Sequence, residues 1–203
     1  MSIYALKPRF QALLRPMVQS LYARGVTANQ VTVAACVVSV ALGLWFFLAQ
    51  YPLLAYACIA AWMLLRMGLN AIDGMLAREH GQKSLLGAFL NELTDVVSDA
   101  ALYLPFALVM PFSAFWVGVV ILLASLSEFA GALGPTVGAS RRYDGPMGKS
   151  DRAFVFGALA LYVAFGGPLP AWTAWLMPLL AALVAWTIVN RIRGAIAEAG
   201  AHA

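Results

Sequence analysis

The sequence predicts an all-α membrane protein: a bundle of six transmembrane helices preceded by an amphipathic helix on the membrane surface. Three observations predict it. The 203 residues are 63% hydrophobic and only 11% charged, against about 45–50% and about 25% in a soluble domain. The apolar runs reach the spanning length of about 20 residues and cover nearly the whole chain. Lys and Arg cluster in every second connection between those runs, the positive-inside pattern of an even number of spans. Such a composition leaves no separate soluble domain and no platform for nucleic acid. The net charge of +4 points instead to an anionic lipid surface and an anionic substrate.

Residues 1–25 form the predicted surface helix. Lys7, Arg9, Arg15 and Arg24 alternate with Tyr4, Leu6, Phe10, Leu13, Leu14 and Leu21, and neither the apolar core nor the cleavage site of a signal peptide follows. The membrane domain is expected over 26–195. Its spans are read at about 31–49, from Pro52 to about Arg78, from about Ser84 to Met110, at 112–134, at 151–167 and at 170–190. Residues 196–203 are expected to be a cytosolic tail. Basic residues mark the N-terminal arm, the turn at Arg78 and Lys83, the loop with Arg141, Arg142, Lys149 and Arg152, and the end with Arg191 and Arg193. The connections near 50–52, 110–113 and 166–171 have none, which places both termini in the cytosol. Cys36 and Cys58 lie in apolar runs and are expected to be small buried hydrophobes without a disulfide. The segment Gly145-Pro146-Met147-Gly148-Lys149-Ser150 lacks the first glycine of a P-loop and the strand before it, so no nucleotide-triphosphate site is read there.

Charges inside a bilayer cost about 2.5–3.5 kcal/mol each on insertion scales and mark function. Within the apolar runs they are Arg66, Asp73, Glu92, Asp95, Asp99 and Glu128. Such an acidic surplus calls for cations, and divalent metals are the natural ones. Arg66, Asn70, Asp73 and Ala77 recur at helical spacing, as do Gly87, Asn91, Asp95 and Asp99, so each set shares one helix face. Two such faces make an oxygen-rich cage suited to Mg²⁺, Mn²⁺ or Ca²⁺ rather than zinc.

These residues resemble the motif of the CDP-alcohol phosphotransferases, D-x2-D-G-x2-A-R-x8-G-x3-D-x3-D. Here it reads Asn70, Asp73, Gly74, Ala77, Arg78, Gly87, Asn91 and Asp95 at the same spacing. More weakly, Thr27-Ala28-Asn29-Gln30-Val31-Thr32 looks like the family's start of the first span, and Gly148-Lys149 like its basic segment before the fifth. The resemblance implies transfer of a substituted phosphoryl group from a CDP-linked donor to an alcohol, with release of CMP. It implies one or two divalent ions, Mg²⁺ or Mn²⁺, on the donor's diphosphate, held by Asn70, Asp73, Asn91 and Asp95. Gly74, Ala77, Arg78 and Gly87 would form the CDP pocket, and Asp95 would be the general base. A homodimer is implied as well.

Two motif aspartates are replaced by Asn70 and Asn91, which keep an oxygen and lose the charge. Asp99, one turn beyond Asp95, is the expected compensating carboxylate, with Glu92 a second. Lys149, Arg141 and Arg191 are the candidate acceptor-binding residues. The function expected is transfer of a phosphatidyl group from CDP-diacylglycerol to a small polar alcohol during phospholipid synthesis in a bacterial inner membrane. A CDP-choline or CDP-ethanolamine donor is the alternative within the class. A non-catalytic member that binds CDP-lipid or acts as a partner subunit is the alternative outside it.

Overall fold

The computed structural model describes residues 6–48 and 52–201, and the described residues are helical throughout apart from short connections. The helices are α1 (Leu6–Ala23), α2 (Ala28–Leu48), α3 (Pro52–Glu79), α4 (Leu85–Tyr103), α5 (Ala114–Ala132), α6 (Lys149–Phe165) and α7 (Leu176–Ala201). Short 3₁₀ turns cover Leu104–Leu108, Gly134–Val137 and Ala171–Trp175. Four stretches are long and apolar enough to cross a membrane: Ala28–Phe46, Leu53–Glu79, Ala114–Ala132 and Ala171–Ala201. The protein is thus a multi-pass membrane protein. The three carboxylates Glu92, Asp95 and Asp99 on α4, and the 17-residue length of α6, set those two helices apart from the four.

Local chemistry sets the helix ends. Thr27 and Gln30 cap α2 reciprocally: the Gln30 amide donates to Thr27 Oγ1 at 3.2 Å, and the Thr27 amide donates to Gln30 Oε1 at 2.9 Å. Ser84, in an extended conformation, caps α4 by accepting from the Gly87 amide at 2.9 Å. Gly25 and Gly81 adopt positive φ of 76° and 67° just beyond α1 and α3, a conformation open to glycine without a side-chain clash.

Two expected spans have different limits. The third stops as α-helix at Tyr103 instead of Met110, because Pro105 lacks an N–H and its ring disfavours further α-helix. The last begins at Leu176, after a 3₁₀ turn, and runs to Ala201. Residues 196–201 are therefore helical. Alanine-rich sequence favours this, and Glu198 ties the segment down by accepting from the Ser140 amide at 2.8 Å and its hydroxyl at 2.9 Å. The rest of that expected tail, residues 202–203, lies outside the described residues. So do residues 49–51 of the first uncharged connection, and Tyr4. The side chains of Leu6, Lys7 and Arg9 are likewise not among those described.

The bundle has two unlike ends. At one, aromatic rings fill the core: Tyr103 stacks on Phe156 with centroids 3.9 Å apart, and Phe106 meets both Phe156 and Tyr56 edge-on. Such pairs contribute about 0.5–1.5 kcal/mol each beyond area burial. Ala60, Ala153, Ala160 and Gly157 keep the facing sides of α3 and α6 slim. In lipid, close packing of this kind drives association more than apolarity does. The other end holds the polar residues. There α1 packs Leu14, Val18 and Leu21 against Ile72, Met75 and Leu76, while Phe10, Leu13 and Met17 point outward. Arg15 pairs with Glu79 at 3.0 Å, and Tyr22 stacks on His80. Cys36 and Cys58 are free, partly buried thiols.

Candidate active site

Two adjoining cavities open at the polar end. The first, about 360 Å³, lies among α2, α3 and the start of α4, and is lined by Asn29, Thr32, Asp73, Gly74, Ala77, Arg78, Gln82, Ser84, Gly87 and Asn91, among others. All four expected CDP-pocket residues are in this wall. Small residues are needed here. A Cβ on Gly87 would lie 2.7 Å from Asn29 Oδ1 and 2.9 Å from Ser84 Oγ, and one on Gly74 would lie 3.0 Å from the Arg78 guanidinium. Gln82 closes the rim, accepting from the Ala28 amide at 2.7 Å.

The second cavity, about 380 Å³, shares Asp73, Gly74, Arg78 and Asn91 with the first. Asn70, Asp95, Glu128, Arg141, Tyr143 and Arg191 join them, with residues 148–151 at the start of α6. The four expected metal ligands and the three candidate acceptor residues thus face one space. Its wall is charge-balanced: Asp73, Asp95, Glu128 and Asp151 against Arg78, Arg141, Lys149 and Arg191.

The two carboxylates of the cage have different surroundings. Asp73 Oδ2 accepts from Thr32 Oγ1 at 2.8 Å, and no cation pairs with Asp73 among the described residues. Asp95 carries a cation on each oxygen, Arg66 Nη2 at 3.1 Å on Oδ1 and Lys149 Nζ at 2.5 Å on Oδ2. Among the described residues no three Asp, Glu, His or Cys side chains converge as a metal site. Two carboxylates and two carboxamides facing one space still form an oxygen-only donor set of the kind hard divalent ions take. The residues present fit one such ion.

Behind the cage lies a buried ion network. Arg66 Nη1 pairs with Asp99 Oδ1 at 2.5 Å. Arg152, 1% exposed at its side chain, reaches Glu128 at 2.8 Å, Asp99 at 3.4 Å and Ser127 Oγ at 3.1 Å. Glu128 also takes Arg191 at 3.4 Å and Arg141 at 3.5 Å, and Arg141 pairs with Glu92 as well. The surplus of carboxylates read from the sequence is therefore largely met by protein cations. Asp99, the expected compensating carboxylate, has both oxygens on guanidinium groups and lines neither cavity. Arg141, Arg152 and Arg191 each keep a buried Nε without a hydrogen-bond partner.

The loop before α6 is pinned from α7. Met147 donates its amide to Thr187 Oγ1 at 3.0 Å, and Arg142 pairs with Asp144 at 2.7 Å and with Glu198. The Arg142 guanidinium holds the Asp144 carboxyl below the usual aspartate range. Arg141 stands over the Tyr143 ring, 4.9 Å from its centroid.

Sequence reasoning missed Asn29, Thr32, Gln82, Ser84 and Tyr143 as cavity residues. Asn29 and Thr32 belong to the segment singled out at the start of α2, which was the signal available. Arg152 counts in the sequence among the basic residues before the fifth span, and nothing in its neighbourhood marks Asp99 and Glu128 as its partners.

A membrane-embedded helical bundle with a carboxylate and carboxamide cage opening on a nucleotide-sized cavity defines the class. The family model for CDP-alcohol phosphatidyltransferase matches residues 25–189, and the chain belongs to that family. The inner membrane protein YnbA of Escherichia coli K12 is 44% identical over 199 residues, 97% of each chain. The archaetidylinositol phosphate synthase of Pyrococcus horikoshii is 31% identical over 105 residues, 51% of this chain and 52% of that one. Crystal structures of the Mycobacterium tuberculosis phosphatidylinositol phosphate synthase superpose on the chain at 25% identity. The structure with CDP-DAG bound gives a TM-score of 0.71 over 89% of this chain and 92% of that one. The structure with manganese and citrate gives 0.73 over 92% and 90%.

Proposed function

We propose that the protein transfers a phosphatidyl group from CDP-diacylglycerol to a small polyol bearing a phosphate, releasing CMP. The observation that carries this reading is the junction of the two cavities at Asp73 and Asn91, with small residues and Arg78 on one side and Arg141, Lys149 and Arg191 on the other. The first cavity suits a nucleotide, the junction its diphosphate, and the second an anionic acceptor. Arg141, Lys149 and Arg191 in the wall of the second cavity are the cations such an anion can use. The named activity of the M. tuberculosis and P. horikoshii relatives supports a phosphorylated polyol.

In this reading Gly74, Ala77 and Gly87 admit the cytidine, and Arg78 and Asn29 orient it. Asp73, with the carbonyl oxygens of Asn70 and Asn91, would hold a divalent ion; when bound, it would neutralise the diphosphate and the charge that develops on leaving CMP. Thr32 fixes the Asp73 carboxylate. Arg141, Lys149 and Arg191 hold the acceptor's phosphate. The acceptor's hydroxyl oxygen attacks the phosphatidyl phosphorus, and its proton passes to Asp95. The bond from that phosphorus to the CMP oxygen breaks, and CMP leaves.

The same reading gives the chain six spans. At about 1.5 Å per residue, the 19 residues of α4 and 17 of α6 cover about 25–29 Å, close to the hydrocarbon thickness. The basic ends then face the cytosol, α1 lies on that surface with Phe10, Leu13 and Met17 in lipid, and residues 26–195 form the membrane domain. Two copies form the working unit.

The test is CMP release by the purified protein in detergent with Mg²⁺ or Mn²⁺. CDP-diacylglycerol, CDP-choline and CDP-ethanolamine are offered as donors against a panel of alcohols and their phosphates. The expected outcome is metal-dependent release with CDP-diacylglycerol and a phosphorylated polyol, lowered about 10²–10⁴-fold in Asp95→Ala. Donor binding without release for any acceptor would instead establish a non-catalytic lipid binder.

A further inference from the structure

We infer that the site takes a single divalent cation, centred on Asp73, and that the Lys149 ammonium is a second, built-in positive charge at the same junction. The inference rests on the reading above that the junction receives the donor's diphosphate.

The two carboxylates of the cage differ in what they can still bind. Asp73 has a hydroxyl on Oδ2 and, among the described residues, no paired cation, so it keeps its charge for a ligand. Asp95 has a cation on each oxygen. A metal on Asp95 Oδ2 would sit about 2.0–2.1 Å away, as Mg²⁺ does, where the ammonium already stands at 2.5 Å. The two cations would then repel at close range in a low-dielectric wall. Asn70 and Asn91 add carbonyl oxygens without charge, so they complete the shell of one ion and do not attract a second.

Charge balance agrees. The wall of the second cavity is neutral as built. A donor diphosphate bonded to cytidine on one side and lipid on the other carries two negative charges, and one divalent ion matches them. Two would leave the donor complex with an excess of two positive charges. Asn70, Asn91 and Lys149 thus act in the same direction: two carboxylates are lost and a third is offset by the lysine, so the junction attracts one divalent ion and not two.

The experiment counts Mn²⁺ bound to the purified full-length chain in detergent, with CDP-diacylglycerol present and no acceptor. Electron paramagnetic resonance reads free Mn²⁺, and calorimetry reads affinity. One ion per chain on a single-site curve is the expected result; none or two overturns the inference. Lys149→Met should free Asp95 and tighten Mn²⁺ binding about tenfold. Unchanged affinity and stoichiometry in that variant also overturns it, and Lys149→Gln serves if the methionine variant does not fold. CMP release after a phosphorylated polyol is added to the same samples separates the two readings. One ion without turnover sinks the transferase reading alone, and turnover with two ions sinks the single-ion inference alone.

Discussion

The first cavity and the ion network behind the cage lie within one end of the bundle, yet they are built on opposite principles. The cavity comes from a short stretch of chain, residues 28–91, and its walls are kept small by Gly74, Ala77 and Gly87. The network draws on α3, α4, α5, α6 and α7, and its long side chains fill their space. Arg152 and Arg191 are 1% and 2% exposed. The first leaves room for a ligand throughout, whereas the second is packed solid around Arg152 and Asp99 and meets open space where Glu128, Arg141 and Arg191 border the second cavity. A substitution in the first should therefore act on binding, and one in the second on stability.

Glu128→Ala is the largest expected break in that contrast. Removing the carboxylate leaves Arg191 buried without its counter-charge and Arg152 with Asp99 alone, at 3.4 Å, a loss of about 3–5 kcal/mol. Thermal unfolding in detergent should show it, and Glu128→Gln should lose less. A stable Glu128→Ala protein that fails only to bind substrate would move Glu128 from the network to the site.

Gly87→Ala sharpens the comparison from the other side. Its methyl group enters the first cavity against Asn29 and Ser84. CDP affinity should fall about tenfold, the lower end of what one added methyl group does in a shaped pocket. Stability should stay within about 1 kcal/mol, since alanine favours the helix by about that amount. Calorimetry with CDP, beside a melting curve, checks both halves.

The smallest effect is expected at Asp144. Its pKa lies below the usual aspartate value because of the Arg142 guanidinium. Its contribution is thus complete above the unfolded-state pKa and fades as pH falls through the lower, folded one. Asp144→Asn should loosen the loop before α6 at neutral pH by no more than about 1 kcal/mol, because the pair is largely exposed. The variant and the parent should converge in strongly acid buffer. Hydrogen exchange of residues 141–148 would show it; a difference that grows with acidity would contradict the assignment.

The helices were legible because lipid imposes a strong rule: a long apolar run must be helical. The candidate site was legible for the same local reason. On α3 and α4 the cage residues recur every three or four positions, so one helix face can be read without knowing its neighbour. The helix ends were less legible where tertiary contacts override local signals. Pro105 could have been read as a stop, whereas the extension of α7 to Ala201 depends on Glu198 reaching Ser140 and Arg142 across the fold.

The sequence by itself determined the class, through its resemblance to the family motif, and the helical architecture and the shared faces of α3 and α4, which follow from spacing along one helix. Only the tertiary structure decided the charge balance. Read along the chain, the apolar runs hold five carboxylates and one arginine. In three dimensions Arg141, Lys149, Arg152 and Arg191 fold into the same layer, so Asp99 and Glu128 belong to ion pairs while Asp73 keeps its charge for a ligand. Coulomb energy depends on distance in space, and residues 49 or 64 positions apart in sequence, such as Glu92 and Arg141 or Ser127 and Arg191, touch only once the bundle has closed.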